Sequence, residues 1–452
     1  MKPTNIQLPR RRQFLLNTTA GAAGLWLGGK SWADDLPANN NPRAILGDVV
    51  EPNWSDRVTV SVGPRQADMI GETEKVIQAA VDYVDRLGGG TVKLLPGEYR
   101  LRNSIFLRSK IRLLGSGGDS VLKKEPALSS RLEVDGDHWD QEITLSDPGD
   151  LRVGDGVRLI GQDPYGKGIN NVQRTVIAVS GNRFKLDGRL QERFYRVGES
   201  HAITSFALIY CEDIANSSIE NIALDGNKGN NSLLDLDKLD DGSIRLDRCN
   251  RITLRDLDVH DFCRDGIVWG ISHDVLVENC HLHDGARLAL HAGSGSQRSV
   301  MRGNHMRDGQ QGVYYCWGAQ HSLCEKNMIE DCSFYGMTLG HRDSDNLIRE
   351  NEIRRSGIAG ILFREDSLEF SPNRNRIERN RIVDSGSTEG VAIDVGGQTE
   401  GISLLENELL ETRGPLARIG IRIGSQTRSV VLSDNRTQGF ARPVVDLREG
   451  GG

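Results

Sequence analysis

Groups suited to acid–base chemistry are concentrated in two short runs, residues 341–345 (His-Arg-Asp-Ser-Asp) and 364–366 (Arg-Glu-Asp), with Asp394 further along. A pair of carboxyl groups can cleave a glycosidic bond when one protonates the leaving oxygen and the other activates water. The predicted catalytic residues are Asp343, Glu365, Asp366, Asp394 and His341. Arg342 and Arg364 are predicted to position the substrate or to tune the pKa values of these groups.

A second group of polar and aromatic residues precedes these runs, and six of the ten histidines fall between His260 and His305. His281 and His283 lie two apart on a predicted strand, so they face the same way and form the pair best suited to chelate a metal. Such histidines more often line turns or a carbohydrate groove, and no metal site is predicted. Aromatic faces stack on sugar rings, and arginine pairs with uronate or sulfate groups. The predicted substrate-binding residues here are Arg287, His291, Tyr314 and Trp317.

Carboxylates are also concentrated between Asp235 and Gly242, in the run Asp-Leu-Asp-Lys-Leu-Asp-Asp-Gly. This run resembles a calcium loop, but Leu239 stands where an acidic ligand is expected and the distal glutamate of an EF-hand is missing. A solvated acidic turn is the preferred interpretation. No cofactor is predicted, and calcium is the alternative.

A repeat from about Asp256 to Asn435 must position the candidate residues. One column of the repeat is asparagine, at Asn279, Asn304, Asn327, Asn351, Asn380, Asn407 and Asn435. A second column is occupied by Gly266, Leu288, Gly312, Gly336, Gly360, Gly390 and Gly420. Short strands that recur every 23 to 29 residues predict a stacked solenoid. We expect the asparagines to form a hydrogen-bonded ladder between coils.

The glycine column predicts which side chains face the interior. Strict alternation along each strand sends the first and third positions after the column inward and the second and fourth outward. This phase places His291 and Tyr315 inside. Neighbouring coils lie about 4.8 Å apart, so carboxylates on adjacent coils would be roughly 5 Å apart and those two coils apart roughly 10 Å. Both the retaining and the inverting separations of glycosidases are therefore reachable.

Elimination is the main chemical alternative to hydrolysis. No lysine follows Lys326, so a lyase or epimerase at this site would need arginine, His341 or a tyrosine to remove the proton next to the uronate carboxyl group. The four carboxylates would repel an acidic polymer. Hydrolysis is therefore placed first, and a lyase or epimerase second.

The first 33 residues predict export. Arg10-Arg11-Arg12-Gln13-Phe14-Leu15 matches a twin-arginine pattern, an uncharged stretch follows, and Ser31-Trp32-Ala33 provides a small-x-small cleavage site. We expect a periplasmic or secreted protein with no membrane span after signal removal. The formal net charge of −7 gives no basic field for nucleic acid. The seven cysteines are an odd number and occupy coil-like positions, which predicts buried free thiols rather than a disulfide set.

The N-terminal part carries a family resemblance. Residues 72–87 have helical apolar spacing, three glycines follow, and Thr91-Val92-Lys93-Leu94-Leu95-Pro96-Gly97-Glu98-Tyr99 comes next. This order resembles the opening of pectin-lyase-like proteins of the pectate-lyase type. The resemblance implies an all-β fold, a right-handed single-stranded parallel β-helix with an N-terminal helical cap. Residues 133–200 break the repeat, and their alternating strands with tight Gly, Asp and Asn turns predict a small antiparallel β insertion. The resemblance is not specific for activity, since the group contains lyases, hydrolases, epimerases and adhesive proteins.

The predicted organisation is a signal peptide at 1–33, a cap with the first coils at 34–130, an insertion at 131–204 and the β-helix at 205–445. The predicted function is an exported carbohydrate-active enzyme that cleaves glycosidic bonds of a polysaccharide. The alternatives are a polysaccharide lyase or epimerase that uses Arg, His or Tyr, and a non-catalytic carbohydrate-binding β-helix protein. The sequence leaves the sugar and linkage open.

Overall fold

The computed structural model describes residues 52–163, 165–166, 168–231, 242–387, 390–414 and 417–448. The predicted signal peptide lies outside these residues, and so does the acidic run that begins at Asp235, apart from Gly242. Within the described part, no helix is both long enough and apolar enough to cross a membrane.

From Asn250 onward each coil contributes three strands, one to each of three faces of a parallel β-helix. The first face contains Asn250–Arg255, Leu276–Glu278, Val300–Arg302, Leu323–Glu325, Leu347–Arg349, Arg376–Glu378, Ser403–Leu405 and Val431–Ser433. The second face contains Asp258–His260, His281–His283, His305–Arg307, Met328–Glu330, Glu352–Arg354, Arg381–Val383, Glu408–Leu410 and Arg436–Gln438. A bend of only a few residues separates these two faces, which explains why their strands are short.

The third face has the most regular ladder, with eleven parallel strands. They are Ile105–Phe106, Ile209–Glu212, Gly242–Asp247, Asp265–Gly270, Leu288–Gly293, Gln311–Tyr315, Tyr335–Leu339, Ala359–Phe363, Val391–Val395, Ile419–Ile423 and Arg442–Asp446. One outward row runs along this face through Arg245, Val268, His291, Tyr314, Thr338, Leu362, Asp394 and Arg422. Most of the candidate residues lie on this row or in the turns that follow these strands.

The helix Glu74–Arg86 covers the first coils. Its buried residues Ile77, Ala80, Val81 and Val84 repeat at helical spacing and join the main core. The strands of these coils are Val58–Gly63, Met69–Ile70, Gly90–Leu94, Gly97–Leu101, Ile111–Lys124 and Ala215–Asp225. Single-turn 3₁₀ segments occur at Trp54–Asp56, Arg196–Gly198, Lys228–Asn230 and Leu368–Phe370. A helix at this end shields apolar side chains that an open solenoid coil would expose.

A six-stranded antiparallel sheet interrupts the coils between Ile111–Lys124 and Ile209–Glu212. Its strands are Ser129–Arg131, Glu142–Thr144, Gly156–Gln162, Ile169–Ser180, Arg183–Leu186 and His201–Ile203. It has its own core around Leu159, Phe184 and Phe194. The helix, this insertion and the stacked coils confirm the predicted fold class.

The asparagine ladder is confirmed, with one exception. From Asn304 to Asn407, each ladder asparagine donates its backbone N–H and its side-chain Nδ2 to the Oδ1 of the asparagine one coil further, at 2.8–3.1 Å. Asn279 is not part of the ladder. Cys280 holds that position and donates its backbone N–H to Asn304 Oδ1. Asn279 instead occupies the preceding turn position, with φ 54°, where Asp256 and Glu350 also adopt positive φ.

The predicted glycine column is wrong at two coils. Ile267 pairs with Leu290, so Ala289 and not Leu288 stands opposite Gly266, and His291 faces outward rather than inward. Ile361 pairs with Ile393, so Ala392 and not Gly390 stands opposite Gly360. No glycine marks the column in the first of these coils, and the turn before Val391–Val395 is longer than the turn before Ala359–Phe363, so counting from a single residue type shifted the register.

All seven cysteines are free thiols, which confirms the prediction that no disulfide set is present. Six of them are buried, and Cys263 is half-buried. Burial raises the pKa of the Cys280 and Cys324 thiols to about 12, so these side chains act as small apolar groups.

Candidate active site

Asp343 is the structural centre of the candidate site. Its carboxylate accepts backbone N–H bonds from Gly318, Ala319 and Gly340, each at 2.9 Å, and its side chain has no exposed surface. These bonds fix the turn that follows the third-face strand Tyr335–Leu339. The prediction placed Asp343 on the outer surface, but the structure places it beneath the surface, where it positions other residues.

Burial raises the pKa of Asp343 to about 6, although its three backbone hydrogen bonds and Arg364 oppose the shift. A carboxyl group whose pKa is higher in the folded than in the unfolded chain stabilises the fold at low pH, and that stabilisation is lost as the pH rises through the folded pKa. We therefore expect the free energy of unfolding of the wild type, relative to Asp343→Asn, to fall by about 2 kcal/mol between pH 4 and pH 7. Urea titrations of both proteins at several pH values measure this difference, and parallel curves would contradict it.

His341 lies at the surface of the same turn, with its ring stacked on Trp317 at 4.6 Å between centroids and 4° between planes. Its backbone N–H donates to Asp366 Oδ2 at 2.7 Å, and its Nε2 lies 3.5 Å from Asp366 Oδ1. Its Nδ1 lies 3.1 Å from an Arg364 nitrogen, and because arginine can only donate, Nδ1 is the acceptor. Burial and the Arg364 charge lower the pKa of His341, so the imidazole is neutral at pH 7.

Arg364 lies between His341 and Tyr314, with its guanidinium carbon 4.8 Å from the centre of the Tyr314 ring. Its Nη2 donates to the Tyr315 carbonyl oxygen at 3.2 Å and lies 3.5 Å from Asp343 Oδ2. Its Nε and Nη1 are buried and have no hydrogen-bond partner among the described residues. The guanidinium lies close against Gly340, where a Cβ atom would fall 2.0 Å from Arg364 Nε, so only glycine fits there.

Tyr314 connects Arg364 to a buried ion pair. Burial raises the pKa of the Tyr314 hydroxyl to about 12, against the effect of Arg364. His291 packs edge-on to Tyr314 with ring centroids 5.0 Å apart, and its Nδ1 lies 2.8 Å from Asp265 Oδ2. Although burial opposes the charge, the hydrogen bond to Asp265 raises the pKa of His291 to about 10. This part of the site therefore combines a protonated imidazole with a protonated phenol.

Two further predicted residues remain accessible to solvent. Arg342 is exposed, with its guanidinium carbon 5.6 Å from the centre of the Phe370 ring. Glu365 is also exposed, in the turn beside Gly396. Trp317 has half of its surface exposed next to His341. The accessible rim therefore offers a cation, a carboxylate and the aromatic rings of Trp317 and Phe370.

Two predicted residues are not brought to this cluster. Asp394 pairs with Leu362 rather than with Arg364, and its carboxylate is held by Arg422, with Nε to Oδ1 at 2.9 Å and a second bond from Nη2 to Oδ2. The register shift described above explains this misplacement. Arg287 precedes the strand Leu288–Gly293, whereas the cluster follows the ends of such strands.

Asp265 and Phe370 are site residues that the prediction missed. Asp265 lies on the strand one coil before His291, but the register pairs His291 with Val268, so the contact of Asp265 Oδ2 with His291 Nδ1 does not follow from the repeat. Phe370 belongs to a turn whose length differs from the repeat, and no sequence signal marked it.

The comparisons with known proteins agree with this architecture. The family described as "Right handed beta helix region" matches residues 242–409, a window that contains Asp265, His291, His341 and Arg364. The match spans over a third of the chain and, with the stacked parallel coils, supports the predicted pectin-lyase-like, right-handed β-helix superfamily. Among solved structures, PfbA, a surface adhesin of Streptococcus pneumoniae, matches with a TM-score of 0.53 and 13% identity, over 83% of this chain and 84% of that chain. The Geobacillus virus E2 protein ORF18 matches with a TM-score of 0.51 and 12% identity, over 85% of this chain and 62% of that one. Both matches establish the right-handed β-helix fold alone.

A curated relative of this β-helix chain is mannuronan C5-epimerase AlgE2 of Azotobacter vinelandii, which is 30% identical over 145 residues. The match covers 30% of this chain and 12% of the relative. The chain therefore corresponds to a small part of that protein.

Proposed function

We propose that the chain acts on an acidic polysaccharide and removes the proton at carbon 5 of a uronate residue, as in C5 epimerisation or elimination. The observation that carries this proposal is the Arg364 guanidinium, which has two buried nitrogens without an acceptor among the described residues. A carboxylate is the planar partner that a guanidinium binds through two parallel hydrogen bonds. The parallel N–H pairs of a guanidinium are Nε with Nη2 and Nη1 with Nη2, so a bound uronate would take one unpartnered nitrogen together with Nη2, which now contacts the neutral His341 imidazole.

The neighbouring groups fit the proton transfers that follow. A substrate carboxylate that draws Arg364 away would free the Nδ1 lone pair of His341, which then takes the proton from carbon 5. The electron pair left on carbon 5 delocalises into the carboxyl group, where Arg342 and Arg364 stabilise the charge. The epimer forms when a proton returns to carbon 5 from the opposite side of the sugar ring, and the protonated Tyr314 hydroxyl is the donor proposed for this step. Expulsion of the oxygen on carbon 4 gives an unsaturated sugar instead.

The third face provides space for a polymer. Trp317 exposes an aromatic face next to His341, which suits stacking on a sugar ring. Earlier on the same face, a cleft of about 530 Å³ lies between the insertion and the coils. Its lining includes Arg174, Tyr210 and Arg245, and Arg245 is paired with Asp247 at 2.8 Å. The relative named as a mannuronan C5-epimerase supports the same class of substrate.

Hydrolysis is the second candidate, favoured by the carboxyl pKa of about 6 at Asp343 and by the exposed Glu365 nearby. It ranks second because Asp343 has no exposed surface and Asp394 is held by Arg422. Export by the twin-arginine route to the periplasm or beyond remains part of the proposal, because the predicted signal lies outside the described residues.

The test is an assay of the purified chain on polymannuronate, polygalacturonate and neutral dextran in D₂O. We expect deuterium incorporation at carbon 5 of a uronate polymer, seen by NMR, or an unsaturated product seen by ultraviolet absorbance, and no reaction with dextran. If the products carry saturated reducing ends and no deuterium at carbon 5, the reaction is hydrolysis and the proposal is wrong. Polymer binding without any reaction would assign the chain to the carbohydrate-binding class.

A further inference from the structure

A cluster of histidines lies on the second face, away from the candidate active site. His281 and His283 point outward from one strand, because Leu282 between them faces the core. Asp258 pairs with His281 on the preceding coil, and His305 pairs with it on the following coil. The cluster therefore joins side chains of neighbouring coils at one surface position.

Three of these side chains have their donor atoms at spacings suited to a small metal ion. Asp258 Oδ1 lies 3.1 Å from His283 Nε2 and 3.4 Å from His281 Nδ1, and the three atoms lie within 4.8 Å of one another. Tetrahedral zinc has bonds of about 2.0–2.1 Å, which places its ligand atoms about 3.3 Å apart. Both distances to the carboxylate match that separation.

The surroundings of His283 supply a second, independent indication. Its other ring nitrogen, Nδ1, lies 2.6 Å from Asp284 Oδ2. Metal-binding histidines commonly donate their second ring N–H to a carboxylate, which fixes the tautomer and orients the ring. Asp284 would therefore hold the proton on Nδ1, and Nε2, which lies 3.1 Å from Asp258 Oδ1, is the ring nitrogen that would bind the ion in place of its contact with that carboxylate.

We propose that Asp258, His281 and His283 bind one divalent transition-metal ion, with zinc as the best fit. Two imidazoles and one carboxylate suit zinc rather than calcium, which prefers six or more oxygen ligands. The fourth position faces solvent, because Asp258 and His281 are each more than a third exposed. A bound ion would link two consecutive coils.

A neighbouring group, Asp225, His260 and Asp261, is less suited to an ion. Asp225 already pairs with Lys123 at 2.7 Å and accepts the backbone N–H of Asn227 at 2.7 Å. The Asp258 carboxylate has His281 and His283 as its side-chain partners at the distances given above. The group of Asp258, His281 and His283 is therefore the better candidate, and His260 of the other group can serve as a control in the experiment.

The test is a calorimetric titration of the EDTA-treated full chain with zinc chloride at pH 7.5, repeated with cobalt(II) and read by visible absorbance. We expect one saturable site, intense cobalt bands typical of tetrahedral coordination, and a higher melting temperature with zinc. Asp258→Asn and the double variant His281→Gln/His283→Gln should each weaken zinc binding at least tenfold. Their far-ultraviolet spectra and metal-free melting temperatures should match those of the wild type.

Two further variants serve as controls. His138→Gln removes an exposed histidine of the insertion and should leave zinc affinity unchanged. His260→Gln should also leave it unchanged. The proposal is overturned if no stoichiometric site is found, if the Asp258 and His281/His283 variants keep wild-type affinity, or if the site is lost with His260→Gln. None of these outcomes depends on an enzymatic activity.

Discussion

Replacement of His341 by asparagine is expected to lower kcat on a uronate polymer by about 10²–10⁴-fold, the usual contribution of a positioned acid–base group. Asparagine suits the test because His341 has φ 42°, a left-handed conformation that asparagine tolerates. Its amide cannot take up a proton, whereas Arg364 and Trp317 still hold the sugar. KM should therefore change by less than about threefold, and loss of the deuterium exchange at carbon 5 should parallel the loss of kcat.

His321 offers the matched control. It lies one coil earlier in an exposed turn with φ 55°, so His321→Asn repeats the same chemical change at a similar backbone conformation. This variant should keep wild-type kcat. The pH profile gives a further readout: because the pKa of His341 is lowered, wild-type activity should persist below pH 6.5 and be lost only when the imidazole becomes protonated. A His341→Asn enzyme with kcat within threefold of the wild type would exclude this residue from the chemistry.

Asn351→Asp is expected to lower the free energy of unfolding by about 3 kcal/mol or more at pH 7. Asn351 is buried, and its Nδ2 donates to the Cys324 carbonyl oxygen and to Asn380 Oδ1, both at 2.9 Å. In the variant a carboxylate oxygen would face these two acceptors without a proton to share. Burial would raise the pKa of the new carboxyl group, so the penalty should shrink as the pH falls toward 4. Urea denaturation at pH 7 and pH 4.5 measures both effects.

Asn279→Asp is the control for the ladder variant. The substitution is identical, but Asn279 is exposed, lies in the preceding turn and takes no part in the ladder. Asp256 and Asp434 already occupy equivalent turn positions with φ 54° and 55°. The stability change should therefore stay within about 0.5 kcal/mol. An equal loss in both variants would show that the ladder bonds contribute no specific stability.

These two asparagines illustrate the limits of pattern reading in a solenoid. Residue type and period marked both as one column, yet only Asn351 makes the ladder bonds, because Cys280 occupies the ladder position of its coil and Asn279 lies in the turn position before it. The same shift of one or two residues moved His291 to the wrong side of its strand and placed Asp394 beside Arg364 instead of Leu362. In a β-strand a one-residue shift exchanges the two faces, so small errors in turn length have large consequences.

The sequence alone determined the architecture. The repeat, the N-terminal helix, the insertion and the free thiols all follow from local patterns that recur with little ambiguity. It also located the runs 341–345 and 364–366 on adjacent coils. Periodicity carries this information, since each coil must bury the same column of apolar residues to stack on its neighbour.

Only the tertiary structure decided how the charged residues are used. It buried Asp343 as the acceptor of three backbone N–H bonds and tied Asp394 to Arg422. It also left two Arg364 nitrogens without a partner among the described residues, beside a neutral His341. A carboxylate or guanidinium is identical in the sequence whether it caps a turn, closes an ion pair or faces a substrate. Its role is set by burial and by partners from other coils, which sequence spacing does not specify.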